Sequence, residues 1–180
     1  MGEAGGKKRV LILCTGNSCR SQIAEGWVRH DLGERWEVAS AGTHPAWAVH
    51  PMSVRVMAEA GVDLSKHFSK TLDDLNGVVF DYVVTVCGHA NENCPVFPGK
   101  AKVVHVGFAD PPKLTKDLPD GEEKLAVYRR VRDEIRRFVE TLPESLTEGA
   151  GAAPPVRIHG ESGGKGGAMS DVTINAPARP

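Results

Sequence analysis

The chain lacks a charge imbalance, a long apolar run and a dense set of cysteines. Its 180 residues carry 22 Lys and Arg against 23 Asp and Glu, a formal net charge of −1 and a pI near 6.7. A sequence-independent nucleic-acid binder would show a basic domain, so this balance argues against nucleic-acid partners. Lys7-Lys8-Arg9 is followed by only five apolar residues, Val10 to Cys14. A secretory h-region needs roughly 7–15, and no stretch approaches the roughly 18 of a membrane span. Gly2 is followed by Gly6 where a myristoylation signal needs Ser or Thr. Four cysteines are too few for a disulfide-built secreted scaffold of this length. The expectation is a cytoplasmic monomer with reduced thiols and no membrane partner, and its cysteines then call for a chemical explanation.

Glycine and proline are over-represented, with 20 and 12 residues. They concentrate at the C-terminus, where residues 149–180 hold seven Gly and four Pro but no Leu and no aromatic residue. Such a segment has too little apolar surface to offset the entropy of ordering it. Residues 149–180 are therefore expected to be a disordered tail, residues 1–8 a flexible N-terminus, and residues 9–148 the folded domain.

Within that domain, strand and helix signals alternate. Val10 to Leu13 is fully apolar, as a strand buried on both faces should be. Ile23, Ala24, Trp27, Val28 and Leu32 recur at helical spacing, with Gly33 as a stop. Trp36 to Ser40 suggests a second strand, and Pro51 to Ala60 a helix with proline in its first turn. Ser69 to Leu75 suggests a short helix. Tyr82 to Val86 and Lys102 to Val106 are further strands. Tyr128, Val131, Ile135, Phe138 and Leu142 form an apolar stripe on a last helix over 121–142. The pattern predicts an α/β fold with a parallel sheet covered on both faces and ligands beyond the strand C-termini. No internal repeat is present.

Cys14-Thr15-Gly16-Asn17-Ser18-Cys19-Arg20-Ser21 lies between the first strand and the first helix. Gly16 and Asn17 can adopt positive φ, so consecutive N–H groups can turn inward as an anion nest. The helix start adds its positive dipole end, and Arg20 a planar fork for two oxygens of a tetrahedral oxyanion. Thr15, Gly16, Asn17, Ser18, Cys19 and Arg20 are the expected oxyanion-binding residues. Cys14, at the bottom of this cradle, is expected to be nucleophilic, its thiolate favoured by these donors and by the Ser21 hydroxyl. Cys19 is expected to contribute only its backbone N–H. The competing assignment makes Cys14 a core residue and Arg20 a surface cation.

Cys87 lies immediately after the third strand at the same sheet edge, and Cys94 follows across a small, polar segment. Two thiols there suit sequential thiol–disulfide exchange with Cys14. A zinc site using His89 or His105 competes, but the spacing lacks the Cys-x2–4-Cys knuckle.

Cys14 to Ser21, followed by Gln22 to Gly26, closely resembles the thioredoxin-coupled arsenate reductases, which share the low-molecular-weight protein tyrosine phosphatase fold. Val38 to Gly42, Cys87 to Pro95, Gly107 to Pro111 and Arg130 to Ile135 extend the resemblance over residues 8–142. It implies a three-layer αβα fold with a four-stranded parallel sheet and no cofactor. It implies reduction of arsenate to arsenite through a Cys14–Cys87–Cys94 relay regenerated by thioredoxin. It also implies that Asp110, in Asp110-Pro111, protonates the leaving oxygen. The residues alone leave open that Asp110 is a turn or N-cap carboxylate.

Asn17, Glu25 and Ser40 match positions that bind potassium in some relatives, but those relatives carry Asp where this chain has Lys70. The Lys70 ammonium is expected to occupy the cation's place, pairing with Glu25 and holding Asn17. Arg129, Arg130, Arg132, Arg136 and Arg137 alternate with Asp133, Glu134 and Glu140, which reads as a solvated helix face. His30, His44, His50 and His67 show no spacing that compels a metal or catalytic role. The alternative function is a low-molecular-weight tyrosine phosphatase using Cys14, Arg20 and Asp110. A non-enzymatic thiol sensor would leave Arg20 and Asp110 without a role.

Overall fold

A computed structural model describes residues 6–88, 101–142 and 146. Cys94 and the expected tail at 149–180 lie outside the described residues. Strands β1 (Lys8–Cys14), β2 (Trp36–Gly42), β3 (Tyr82–Thr85) and β4 (Lys102–His105) form one sheet. Their order is β2-β1-β3-β4 and every pairing is parallel. β1 begins at Lys8, just inside the stretch expected to be flexible.

Val10 to Leu13 are fully buried because β1 occupies a central position in a three-layer αβα arrangement. Helices α1 (Arg20–Leu32), α2 (Pro51–Glu59) and α4 (Glu122–Glu140) pack against one another. The α4 stripe buries Tyr128, Val131, Ile135 and Phe138. Trp27 of α1 meets this surface, donating its indole N–H to Arg132 O at 3.2 Å. The Arg136 guanidinium lies 4.2 Å over the same ring, so α1 and α4 are locked by an aromatic anchor with a satisfied polar handle.

Two local expectations require correction. Only Asp73–Leu75 is helical in the stretch 69–75, as one 3₁₀ turn. Ser69 and Lys70 cannot join it because their groups serve the oxyanion loop: Ser69 Oγ donates to Asn17 O at 2.9 Å and Lys70 N to Asn17 Oδ1 at 2.8 Å. A short helix α3 (Pro111–Leu114), absent from the sequence reading, follows β4. No helix among the described residues is long and apolar enough to cross a membrane.

Candidate active site

The loop after β1 is held from several sides. Its carbonyl oxygens at Cys14, Thr15, Gly16 and Ser18 accept backbone N–H groups from Thr43, His44, Ala46 and His50, at 2.8–3.1 Å. These ties draw the carbonyls to one side, which is what a loop presenting N–H groups to an anion on the other requires. Helix α1 starts from Cys19 with no side-chain cap and no acidic residue in its first turn. Its N-terminal dipole is thus left for a ligand.

Asn17 alone carries the positive φ expected of Gly16 and Asn17, at 47°. Its short amide tolerates that conformation and is used at both ends. Nδ2 donates to Ser21 Oγ and Ser40 Oγ, each at 2.9 Å. Oδ1 accepts from Lys70 N and from Gln22 Nε2, the latter at 3.0 Å. Gly42 is needed where β2 passes behind the loop: a Cβ there would stand 2.5 Å from Thr15 O and 3.0 Å from Asn17 N.

Cys14 is buried, with Sγ 2.8 Å from Ser21 Oγ and accepting the Asn17 N–H at 3.1 Å. Burial pushes the thiol above its ordinary range, against the pull of the Ser21 hydroxyl and the backbone N–H groups of Ser21 and Asn17. The sequence expectation of a favoured thiolate counted these donors but not desolvation. Cys19 is pushed up to about 12 by its own burial. It lies near the Ser53 hydroxyl, which has no partner of ordinary hydrogen-bond geometry.

Parallel pairing of Leu13 with Thr85 brings the C-terminal ends of β1 and β3 side by side. Cys87 is buried there, and its Sγ lies 3.2 Å from the Thr15 hydroxyl, one residue from Cys14. The described cysteines, Cys14, Cys19 and Cys87, are all free thiols.

Arg20 turns toward the segment after β4. Its Nη1 donates to Phe108 O at 3.0 Å, and Nη2 lies 3.5 Å from Asp110 Oδ2. Asp110 occupies the N-cap position of α3, yet its carboxylate makes no capping bond. It faces Arg20 instead.

Glu25 is buried beneath the loop. Its Oε2 accepts from the Ser40 hydroxyl and lies 3.6 Å from Lys70 Nζ, while Oε1 accepts from Arg29 at 2.7 Å. Lys70 Nζ also donates to Phe68 O at 3.1 Å and lies 4.7 Å over the Phe68 ring. The Lys70 ammonium thus lies beside Glu25, while its backbone N–H reaches Asn17 Oδ1 at 2.8 Å. Among the described residues no group of three His, Cys, Asp or Glu could hold a metal; His89, named in the zinc reading, lies outside them.

Sequence reasoning missed Gln22, whose Nε2 also donates to Asn17 O and Phe68 O. It missed His67, whose Nδ1 pairs with Gln22 Oε1 at 2.9 Å. Forty-five residues separate that pair, so no local spacing signals it.

Residues 9–151 match the low molecular weight phosphotyrosine protein phosphatase family. The chain belongs to that family. An arsenate reductase from Halalkalibacterium halodurans is 48% identical over 139 residues, covering 77% of this chain and 97% of the relative. A thioredoxin-dependent arsenate reductase from Corynebacterium glutamicum superposes with a TM-score of 0.56 at 29% identity, covering 79% of this chain and 65% of that one. A low molecular weight protein tyrosine phosphatase from T. tengcongensis gives a TM-score of 0.56 at 28% identity, covering 77% and 99%. The family's fold is thus present together with neighbours of two chemistries, and the side chains around the cradle must distinguish them.

Proposed function

We propose that the protein reduces arsenate to arsenite in the cytoplasm, using Cys14, Cys87 and Cys94 and regenerated by thioredoxin. The observation that carries this reading is the second buried thiol, Cys87, set against the residue next to Cys14. Phosphate-ester hydrolysis needs no second thiol beside the nucleophile.

Arsenate seats in the loop with two oxygens on the Arg20 fork. Asp110, which faces the Arg20 guanidinium, is the carboxyl placed to carry a proton to the departing oxygen. Cys14 sulfur bonds to arsenic and that oxygen leaves as water. Cys87 thiolate attacks Cys14 sulfur; the S–As bond breaks with its electron pair going to arsenic, which departs as arsenite. Cys94 attacks Cys87, releasing Cys14 thiolate and leaving a Cys87–Cys94 disulfide for thioredoxin's dithiol to reduce. Two electrons pass to arsenic, and two thiols are oxidised.

The Lys70 ammonium acts in this reading as an internal cation, holding Glu25 and, through its backbone N–H, Asn17. Phosphatase chemistry is a second reading favoured by Arg20 and Asp110, which suit a phosphoryl group equally. Arsenate-dependent NADPH oxidation with thioredoxin and thioredoxin reductase, run beside aryl phosphate hydrolysis, separates the two. Turnover of arsenate well above that of the ester supports the reductase; ester hydrolysis with no arsenate-dependent oxidation overturns it.

A further inference from the structure

We infer that Gln22 is a positioning residue for the nucleophile: its side-chain amide, oriented by His67, fixes Asn17 so that the Ser21 O–H is left for the Cys14 sulfur. The inference rests on the proposed role of Cys14 as nucleophile and adds two residues that touch no reacting atom.

The loop carbonyls are not all held alike. Those of Cys14, Thr15, Gly16 and Ser18 accept backbone N–H groups from Thr43, His44, Ala46 and His50. The carbonyl of Asn17, the residue with positive φ, is held by side chains instead. It accepts from Ser69 Oγ at 2.9 Å and from Gln22 Nε2 at 3.2 Å. Gln22 Nε2 also donates to Asn17 Oδ1 at 3.0 Å and to Phe68 O at 2.9 Å. One amide thus grips both the backbone and the side chain of Asn17.

Backbone groups settle where each proton lies. Asn17 Oδ1 accepts the Lys70 N–H, so Asn17 Nδ2 faces Ser21 and Ser40. Ser21 Oγ therefore accepts from Asn17, and its own proton goes to Cys14 Sγ at 2.8 Å. Around Gln22, Asn17 O and Phe68 O are carbonyls, so the amide N–H groups point to them and Oε1 to His67. His67 Nδ1 must then carry a proton. Donation runs one way, from His67 to Gln22, Asn17, Ser21 and Cys14, through bonds of 2.9, 3.0, 2.9 and 2.8 Å.

Asn17, Ser21 and Gln22 are fully buried, where hydrogen bonds in a chain polarise one another. The acceptor such a chain favours at its end is the Cys14 thiolate. His67 Nδ1 donates from the neutral ring and from the imidazolium alike, so its titration leaves the link in place. Glu25 and Arg29 face this ring from α1, and Asp63 and Lys70 from its own segment. Asn17, Ser21 and Cys87 face Cys14. The chain therefore acts on the titration of Cys14.

The test compares full-length wild type, Gln22→Met, His67→Phe and the double variant. Gln22→Met keeps the volume and removes the amide; His67→Phe keeps a ring and removes the donor. The readouts are the pH profile of Cys14 alkylation by iodoacetamide, resolved by peptide mass spectrometry, and imidazole ¹⁵N spectra. At pH ~8, where the ring is neutral, wild-type His67 should be the Nδ1–H tautomer. Gln22→Met should slow Cys14 alkylation at fixed pH about fivefold, the equivalent of one hydrogen bond, and move its midpoint up. His67→Phe should act in the same direction by less, and add nothing in the Gln22→Met background. General loosening would instead speed Cys14 and bring Cys19 into reaction. That result overturns the inference, as does unchanged alkylation in either variant, a further loss in the double variant or an Nε2–H tautomer. Alkylation needs no arsenate, so wild type silent toward arsenate would count against the reductase reading alone.

Discussion

Cys14 and Cys19 stand near the two ends of one loop, each only 3% exposed, and their surroundings differ in kind. Cys14 faces a hydroxyl and two backbone N–H groups that all favour its thiolate. Cys19 has the Ser53 hydroxyl and Arg20 on one side and Asp110 opposing them. Burial raises both thiols; a hydroxyl and two backbone N–H groups oppose it at Cys14, the Ser53 hydroxyl and Arg20 at Cys19. Reactivity within this loop is therefore a matter of which groups converge on the sulfur, since exposure does not separate the two.

The largest expected effect comes from deleting one member of the pair. Cys14→Ser should remove arsenate reduction and aryl phosphate hydrolysis altogether, whereas Cys19→Ser should still form the arsenic adduct, as read by intact-mass spectrometry. Gly42→Ala should be next, because the new Cβ meets Thr15 O and Asn17 N. Overpacking against backbone costs about 1–3 kcal/mol, and the displaced N–H groups should weaken phosphate binding about tenfold or more. Isothermal titration with inorganic phosphate measures it.

Lys70→Met leaves Glu25 buried without the ammonium. Denaturant titration should show a loss of about 3 kcal/mol, typical of breaking a buried pair from one side. Replacing sodium by potassium should leave wild-type turnover unchanged; a strong rise would contradict the internal-cation assignment. The smallest effect sharpens the thiol comparison itself. Alkylation requires thiolate, so Cys14 labelling by iodoacetamide should rise with pH through the ordinary cysteine range and beyond. Ser21→Ala should slow it at fixed pH, because the hydroxyl that opposes the rise is gone, and Cys19 should stay unlabelled in the native protein.

The fold was legible where periodicity dominates. Val10–Leu13 and the Tyr128–Phe138 stripe are buried because one sheet and one helix face demand it. That Arg20 and Asp110 come together beside the Cys14 loop was legible because strand ends gather at one sheet edge. Legibility failed where tertiary bonds recruit the backbone, as at Ser69 and Lys70. It also failed where partners are remote: His50 and Tyr128 are 78 residues apart, and each alone is an ordinary residue. The energetic sign at Cys14 was misjudged for a related reason, since desolvation depends on the whole packed shell while donors are local.

The relay is tested most directly by trapping it midway. Cys94→Ser protein, fully reduced and mixed with arsenate without reductant, should release one arsenite per chain and stop. Peptide mapping should then find a Cys14–Cys87 disulfide, with Cys19 free. Continued turnover by this variant with thioredoxin, or a disulfide from Cys14 to Cys19, would contradict the account.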